Sequence, residues 1–325
     1  MRNVAKIGLM MAFLGAVACS KAGPGTVAGA ASSAIDVLPK DTQVVFGFNA
    51  AKFRESKLWG MVTGMLPAEA KTNLETVKTV CGIDPMVDFE SFIVAANGDM
   101  SEEKMIFIVK GKWDEDKLNG CVGALGEKMG GKKILVEKDG KLTAYAPEGE
   151  KKAWVAWLDK NTMMMTGPSA KGDKASLSDL LAAKSSIKDN KELMGLVGKV
   201  DTTATVWAAG WMPDNANLKG MSSQIQSDKK ENAQGGWLSL QFGKTLDGNM
   251  GLRFDQPANG VVDKVSKELE TAKANPQVGK FLSGAKLAAE GNDMVFTIKL
   301  DEKQIDEVMG MMQQSLPMLM QLIGG

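Results

Sequence analysis

Cysteine, methionine and paired serine and lysine are the side chains here with chemistry to offer; histidine is absent from all 325 residues. That absence excludes Ser-His-Asp and Cys-His nucleophilic sites, imidazole acid–base catalysis, and zinc or copper(II) sites built on imidazole. Ser-x-x-Lys, the nucleophile spacing of penicillin-binding enzymes, occurs at Ser101, Ser185, Ser227 and Ser283. The Ser-Asp-Asn and Lys-Thr-Gly motifs that complete such a site are missing, so the repeats read as chance in a Ser- and Lys-rich chain. Carboxylate chemistry survives as the enzymatic alternative: a hydrolase would need two carboxyls roughly 5–9 Å apart, one with a raised pKa.

Methionine is over-represented, with 22 residues that include Met163-Met164-Met165 and a C-terminal cluster. Thioethers can hold copper(I) or line a pliable apolar groove. In IDEVMGMMQQSLPMLMQLI the residues Ile305, Val308, Met309, Met312, Leu316, Leu319, Met320 and Ile323 fall on one helical stripe, the pattern of ordinary core packing. Met309, Met312, Leu316 and Met320 are the candidate surface for a hydrophobic ligand. Pro317 should kink or end this helix and send the following residues across a groove. No metal site, cofactor or catalytic residue is assigned. Gly120, Gly123 and Gly126 sit within a helical pattern and form no dinucleotide fingerprint; they suit close packing. Asp114-Glu115-Asp116 is a helix start. Trp154, Trp157, Trp207, Trp211 and Trp237 all fall on predicted strands. Trp154 and Trp157 differ by three and point to opposite faces.

The N-terminus, MRNVAKIGLMMAFLGAVAC, has Arg2 and Lys6 ahead of an uncharged stretch from Ile7 to Ala18. That stretch suits a signal-peptide core and is too short for a membrane-spanning helix. Ala16-Val17-Ala18-Cys19 resembles the lipobox of bacterial lipoproteins. The resemblance implies that Cys19 carries a diacylglycerol, that residues 1–18 are removed, and that the new N-terminus is acylated. Ser20, rather than Asp, points in that family to the outer membrane. Ser20 to Ser33 is rich in Gly, Ala and Ser and serves as a tether. With two or more acyl chains at roughly 0.8 kcal/mol per buried CH2, anchoring would be stable.

Charge and cysteine usage agree with an exported chain. The 39 basic and 39 acidic residues balance and are interspersed, so nothing calls for nucleic acid. With Cys19 lipidated, Cys81 and Cys121 remain as an even pair, which an oxidising compartment would join as a disulfide worth roughly 4 kcal/mol; the alternative is two buried thiols.

The elements that must position these residues fall into two similar halves, 35–170 and 171–325, after a signal peptide (1–18) and a lipidated cysteine with its tether (19–34). Each half reads strand, helical insert, strand, strand, helix, strand, strand. Strands are predicted at Gln43–Phe48, Phe89–Ala95, Met105–Lys110 and Thr203–Met212. Helices are predicted over Lys52–Leu66, Pro67–Val80, the run after Asp114 and the run from Val261 to Ala272. Hairpins turn at Asp139-Gly140, Asp247-Gly248 and Gly291-Asn292. Met294, Phe296, Ile298 and Leu300 alternate with Val295, Thr297 and Lys299. The expected class is α+β: antiparallel sheets with helices packed on one face. The opening Leu38-Pro39-x-Asp41-Thr42 is similar to that of several uncharacterised exported bacterial families. The functional expectation is a membrane-anchored envelope lipoprotein with a non-enzymatic binding or scaffold role. Its partners are the bilayer through Cys19 and an envelope protein or hydrophobic ligand. The alternatives are a carboxylate hydrolase and a handler of copper(I) or hydrophobic ligands.

Overall fold

A computed structural model describes residues 34–97, 105–150, 152–166, 174–183, 185–225, 227 and 230–310. The chain enters as strand β1 (Val44–Asn49). Asn49 then caps α1 (Ala50–Arg54), its Oδ1 accepting from the Lys52 amide. The helices α2 (Lys57–Gly64), α3 (Ala68–Cys81) and α4 (Pro85–Asp88) follow, then strands β2 (Phe89–Ala96) and β3 (Ile106–Gly111). Helix α5 (Glu115–Gly130) leads to β4 (Ile134–Asp139), β5 (Leu142–Pro147), β6 (Ala153–Asp159) and β7 (Thr162–Thr166). A linking stretch holds α6 (Lys174–Ala182), a 3-10 turn (Ile187–Asp189) and α7 (Lys191–Val197). The chain continues through β8 (Val206–Trp211), α8 (Ala216–Ile225), β9 (Ala233–Phe242), β10 (Leu246–Phe254), α9 (Asn259–Lys273), α10 (Gly279–Leu282), β11 (Lys286–Glu290) and β12 (Asp293–Leu300). A last helix, α11, covers 302–310.

The expected α+β class takes the form of one open sheet of 12 strands, ordered β11-β12-β10-β9-β8-β1-β2-β3-β7-β6-β5-β4. Every ladder in it is antiparallel. The two halves meet where β1 pairs with β8, from Val44 opposite Gly210 to Phe48 opposite Val206. Outward from that seam the order is β1-β2-β3-β7-β6 on one side and β8-β9-β10-β12-β11 on the other. The first half adds the β5 and β4 pair at its margin. The helices after β3 and β10, α5 and α9, lie on the same face.

Alternation along the strands separates two faces. The linker face holds Val45, Ile93, Ala95, Ile108, Met164, Ala156, Trp207 and Ala209, packed against Leu177 of α6, Ile187, and Leu193, Leu196 and Val197 of α7. Ile35 and Leu38 join this core, and the Leu38 carbonyl accepts from the Ile187 amide at 2.8 Å. The opening Leu-Pro segment is thus a structural dock for the linking stretch. The far face carries α3 and α5 over β6 and β7, and α9 and α10 over β10 and β12. Helices cover parts of both faces, because the linking stretch brings its own apolar stripe to the face that single-sided alternation would leave wet.

Tryptophan over glycine fixes the register at the seam and in the second half. A Cβ at Gly47 would lie 2.2 Å from the Trp207 indole, and one at Gly251 would lie 2.1 Å from that of Trp237. This accounts for one correction. The predicted hairpin at Asp247-Gly248 turns instead at residues 243–245, where the Gly243 amide donates to the Thr245 carbonyl. Asp247 and Gly248 are paired within β10, opposite Gln241 and Leu240. A turn at Asp247-Gly248 would take Gly251 from beneath Trp237. A second correction divides the predicted Lys52–Leu66 helix at Glu55–Ser56. There the Ser56 hydroxyl donates to the Phe53 carbonyl and diverts the backbone from a continuous helix. The hairpin at Gly291-Asn292 forms as read, and the one read at Asp139-Gly140 turns one residue later, at Gly140-Lys141; both glycines have positive φ.

The helix after Asp114 also forms as read. Asp114 Oδ1 accepts from the Lys117 amide at 2.7 Å, and the left-handed cap falls at Gly131. Of its glycines, Gly126 is pressed against Ile134, whose Cγ1 would be 2.5 Å from an added Cβ, while Gly120 faces open space. Gly47→Ala, Gly251→Ala and Gly126→Ala should each lower unfolding free energy by about 1–3 kcal/mol through overpacking. Gly120→Ala should raise it, by up to about 1 kcal/mol, through helix propensity. Urea denaturation of the four variants checks the ranking.

Candidate functional site

Cys81 ends α3 and Cys121 lies in α5; they are joined as a disulfide with Cα atoms 5.0 Å apart. The bridge sits in an apolar block with Ile83, Trp113, Val155 and Trp157. In the same block Tyr145 donates to Asn119 Oδ1 at 2.6 Å, and burial pushes its phenol up to about 12. Two helices are thereby locked to each other above β6 and β7.

The other sequence-derived sites fare differently. Cys19 lies outside the described residues, as do Met312, Leu316 and Met320. Met309 lies near the end of α11, half-buried. The Met163-Met164-Met165 run cannot gather around one ion. Met164 points into the linker-face core while Met163 and Met165 pack on the far face. Among the described residues no three Cys, Asp or Glu side chains are placed to hold a metal. Trp154 and Trp157 do take opposite faces: Trp157 is buried beside the disulfide, and Trp154 packs against the linker-face core beneath the Lys174 ammonium. A shallow depression of about 420 Å³ at this end is lined by Asp139, Lys141, Leu142, Lys174, Ser178, Leu181 and Ala182.

The feature that spacing alone did not reveal is the middle of the far face. Phe46 and Phe48 of β1, Phe92 and Val94 of β2, Phe107 of β3, Val206 and Ala208 of β8, and Leu238 of β9 share that face by register. All are only half-buried. On the linker face of the same strands, Val45 is 0% exposed and Ala95 and Ala209 are each 1% exposed. One sheet is therefore sealed on one side and left with an apolar, partly open floor on the other. The signal for this was present in the sequence. VVFGF, FIVAA and IFIV are apolar at consecutive positions, the mark of strands that need cover on both faces.

Aromatic rings run continuously along the floor. Trp113 stacks on Phe89 (centroids 6.4 Å apart), Phe89 on Phe92 (6.1 Å), and Phe92 meets Phe46 and Phe48 (5.7 and 5.5 Å). Phe48 meets Phe53 (5.5 Å), which meets Trp59 of α2 and Phe242 of β9 (both 6.0 Å). The Arg54 guanidinium donates to the Phe89 carbonyl at 2.7 Å and pins α1 over the start of β2. The next helix, α2, has no buried residue although it is apolar; Val62 is 38% exposed, and Met65 just beyond it 46%.

Helix α11 is fastened at the floor's rim. Asp301 and Gln304 exchange backbone and side-chain hydrogen bonds at its start, and Ile305 is buried. Lys57 of α2 pairs with Glu302 at 2.7 Å and Asp306 at 3.0 Å. On the other flank Lys280 of α10 pairs with Glu307.

Among the described residues a deeply buried ion pair lies on the linker face, away from the floor. Asp293 accepts from Arg253 Nε and a terminal guanidinium nitrogen at 2.7 and 2.8 Å, and Lys199 lies 2.6 Å away. Burial pushes this carboxyl up, but hydrogen bonds from Arg253 and Lys199 outweigh it and hold the pKa below the ordinary value. Asp84, hydrogen-bonded by Lys78, is also held low. Both shifts run opposite to what a general acid requires. A lowered folded-state pKa gives stability that is present above the unfolded value, near 4, and lost as pH falls through the folded one. Asp293→Asn should destabilise the fold at pH 7 by roughly 3 kcal/mol, because it leaves two cations facing each other. The deficit should shrink as pH is lowered below about 4. Urea midpoints of both proteins from pH 7 to pH 3 measure this. Removing the disulfide with Cys81→Ala and Cys121→Ala together should cost about 2–5 kcal/mol at every pH in that range.

No protein-family model and no curated protein matches this chain. Among solved structures, "Structure of crystal form I of TP0453" aligns over 85% of this chain and 95% of that one, with 13% sequence identity and a TM-score of 0.41.

Proposed function

We propose that this protein is a membrane-anchored envelope lipoprotein with a non-enzymatic binding role. Cys19 carries the acyl chains, the Gly-, Ala- and Ser-rich stretch to residue 33 is the tether, and the far-face floor is the binding surface. The observation that carries the binding role is the contrast between the two faces of β1, β2 and β8, sealed on the linker side and half-open on the other. An apolar surface of that kind, flanked by helices, suits a hydrophobic ligand or the apolar segment of an envelope protein. The anchor rests on Ala16-Val17-Ala18-Cys19 and the basic, apolar leader before it. The Cys81–Cys121 bridge fits an oxidising compartment. Among the described residues no helix is long and apolar enough to cross a membrane.

Mass spectrometry of the membrane fraction tests the anchor. The expected product starts at Cys19 and carries a diacylglyceryl thioether and an N-acyl chain. Cys19→Ala should move the protein out of the membrane pellet without changing its urea midpoint. A cytosolic protein that retains residues 1–18 and an unmodified Cys19 would overturn the reading.

A further inference from the structure

We propose that strand β11 is a self-pairing edge. Two copies of this chain join their β11 strands antiparallel, across a two-fold axis at Ala288, and continue one sheet into the other. The inference is independent of the lipid anchor and of the far-face floor.

The edge is open, and the register fixes which groups it presents. β11 (Lys286–Glu290) ends the sheet and pairs only with β12. The Phe254 amide donates to the Asn292 carbonyl at 2.9 Å, so residues 292, 294 and 296 turn their backbone groups to β10, and residues 293, 295 and 297 turn theirs to β11. Glu290, Ala288 and Lys286 lie opposite those three and bond to β12. The amides and carbonyls of Leu287 and Ala289 therefore point outward, and among the described residues none of them has a hydrogen-bond partner there.

The other margin of the sheet is shielded. The Glu148 amide donates to the Lys133 carbonyl, so the carbonyls of Lys132 and Ile134 are the outward ones. Helix α5 lies against both: a Cβ at Gly126 would meet the first at 2.7 Å, and one at Gly123 the second at 3.4 Å. Strand β11 has no proline and no bulge to discourage pairing.

Charge complementarity selects the occupant. Leu287 and Ala289 pack into the far-face clusters, so Lys286, Ala288 and Glu290 share the linker face, all exposed. Two such edges can meet only where 287 or 289 of one copy faces 287 or 289 of the other. In the register centred on Ala288, Leu287 exchanges both backbone hydrogen bonds with Ala289 of the second copy, and the axis repeats the pair. The same register sets Lys286 opposite Glu290 of the second copy at both ends. Registers centred on Leu287 or Ala289 leave both charges without a counterpart. Among the described residues Lys286 forms no ion pair; the Glu290 side chain is 60% exposed, with Lys199 3.7 Å away. KLAAE is thus its own complement, with opposite charges at its ends and a small residue in the middle, where two Cα atoms approach to about 4.5 Å.

The strand has five residues, so the contact is small and the dimer weak, and the test traps it. It uses the chain from residue 19 with Cys19→Ala and the Cys81–Cys121 bridge intact, at low salt. Ala288→Cys puts two thiols on the axis within disulfide range, and under mild oxidation it should form a covalent dimer about ten-fold faster than Ser178→Cys, an exposed position in the other half. Adding Lys286→Glu or Glu290→Lys to Ala288→Cys should lower the rate to that of Ser178→Cys. Mixing the two charge variants should restore about half of it, because each supplies the charges the other lacks and half of the encounters are mixed. Unfolding of either variant would not be rescued by mixing. Equal rates for Ala288→Cys and Ser178→Cys would overturn the proposal, and so would a mixture no faster than its components. Sedimentation of the chain without added cysteines should show monomer and dimer; longer assemblies would mean that β11 meets a different surface, and would overturn it too.

Discussion

The pairing of β1 with β8 is the constraint on which this architecture depends. It joins Val44–Phe48 to Val206–Gly210 and turns two smaller sheets into one of twelve strands. Its consequences differ on the two faces. On the linker face the seam is filled by Trp207 lying over Gly47 and by α7 above, giving a closed core. On the far face the same ladder sets Phe46 and Phe48 beside Ala208 and Val206, so apolar residues from both halves merge into one surface. Neither half alone would present a floor of that width. The apolar floor is thus a product of the junction.

Around this junction the blocks that flank the floor are tied down by covalent, aromatic and ionic contacts. The disulfide and the stacked Trp113 and Phe89 fix the α3–α5 block at one side of the floor. At the other side α9 is anchored through Val261, Val265 and Ala272. Asp293, buried between Arg253 and Lys199, ties β12 to β10 and to the end of the linking stretch. Between these blocks α2 is held by contacts that include Phe53 against Trp59, the Lys57 ion pairs and a hydrogen bond from Lys71 to the Gly64 carbonyl, and it buries nothing fully. Local stability follows buried apolar contact, so α2 has little to lose on moving.

Much of this was legible in the sequence where the signal is local. Asp114 as a cap, Gly140 and Gly291 in tight hairpins, and the α9 stripe depend on neighbours within a few residues. The paired cysteines were legible too, from parity and compartment. What could not be read depends on distant partners. Asp247-Gly248 has the composition of a hairpin turn, but Trp237 requires a flat partner, and Gly251 meets that need only when the turn comes earlier. The pairing of β1 with β8 has no local mark. The floor was missed because Phe46, Phe92 and Phe107 stand in runs apolar at every position, which hides which face is sealed. The methionine surface, Met309 with Met312, Leu316 and Met320, was read as a ligand site from periodicity; only Met309 falls among the described residues, near the end of a helix at the floor's rim.

The seam also governs how the chain must fold. Its two strands are separated by more than 150 residues in sequence, among the most non-local contacts in the molecule. Loop closure of that length comes late, after the local hairpins and helices have formed. Until residue 206 is delivered, β1 has only β2 beside it, and its other margin is an unpaired backbone flanked by Phe46 and Phe48. A folding chain therefore passes through a stage with an apolar, template-like edge open to any neighbouring copy, and β8 ends that exposure.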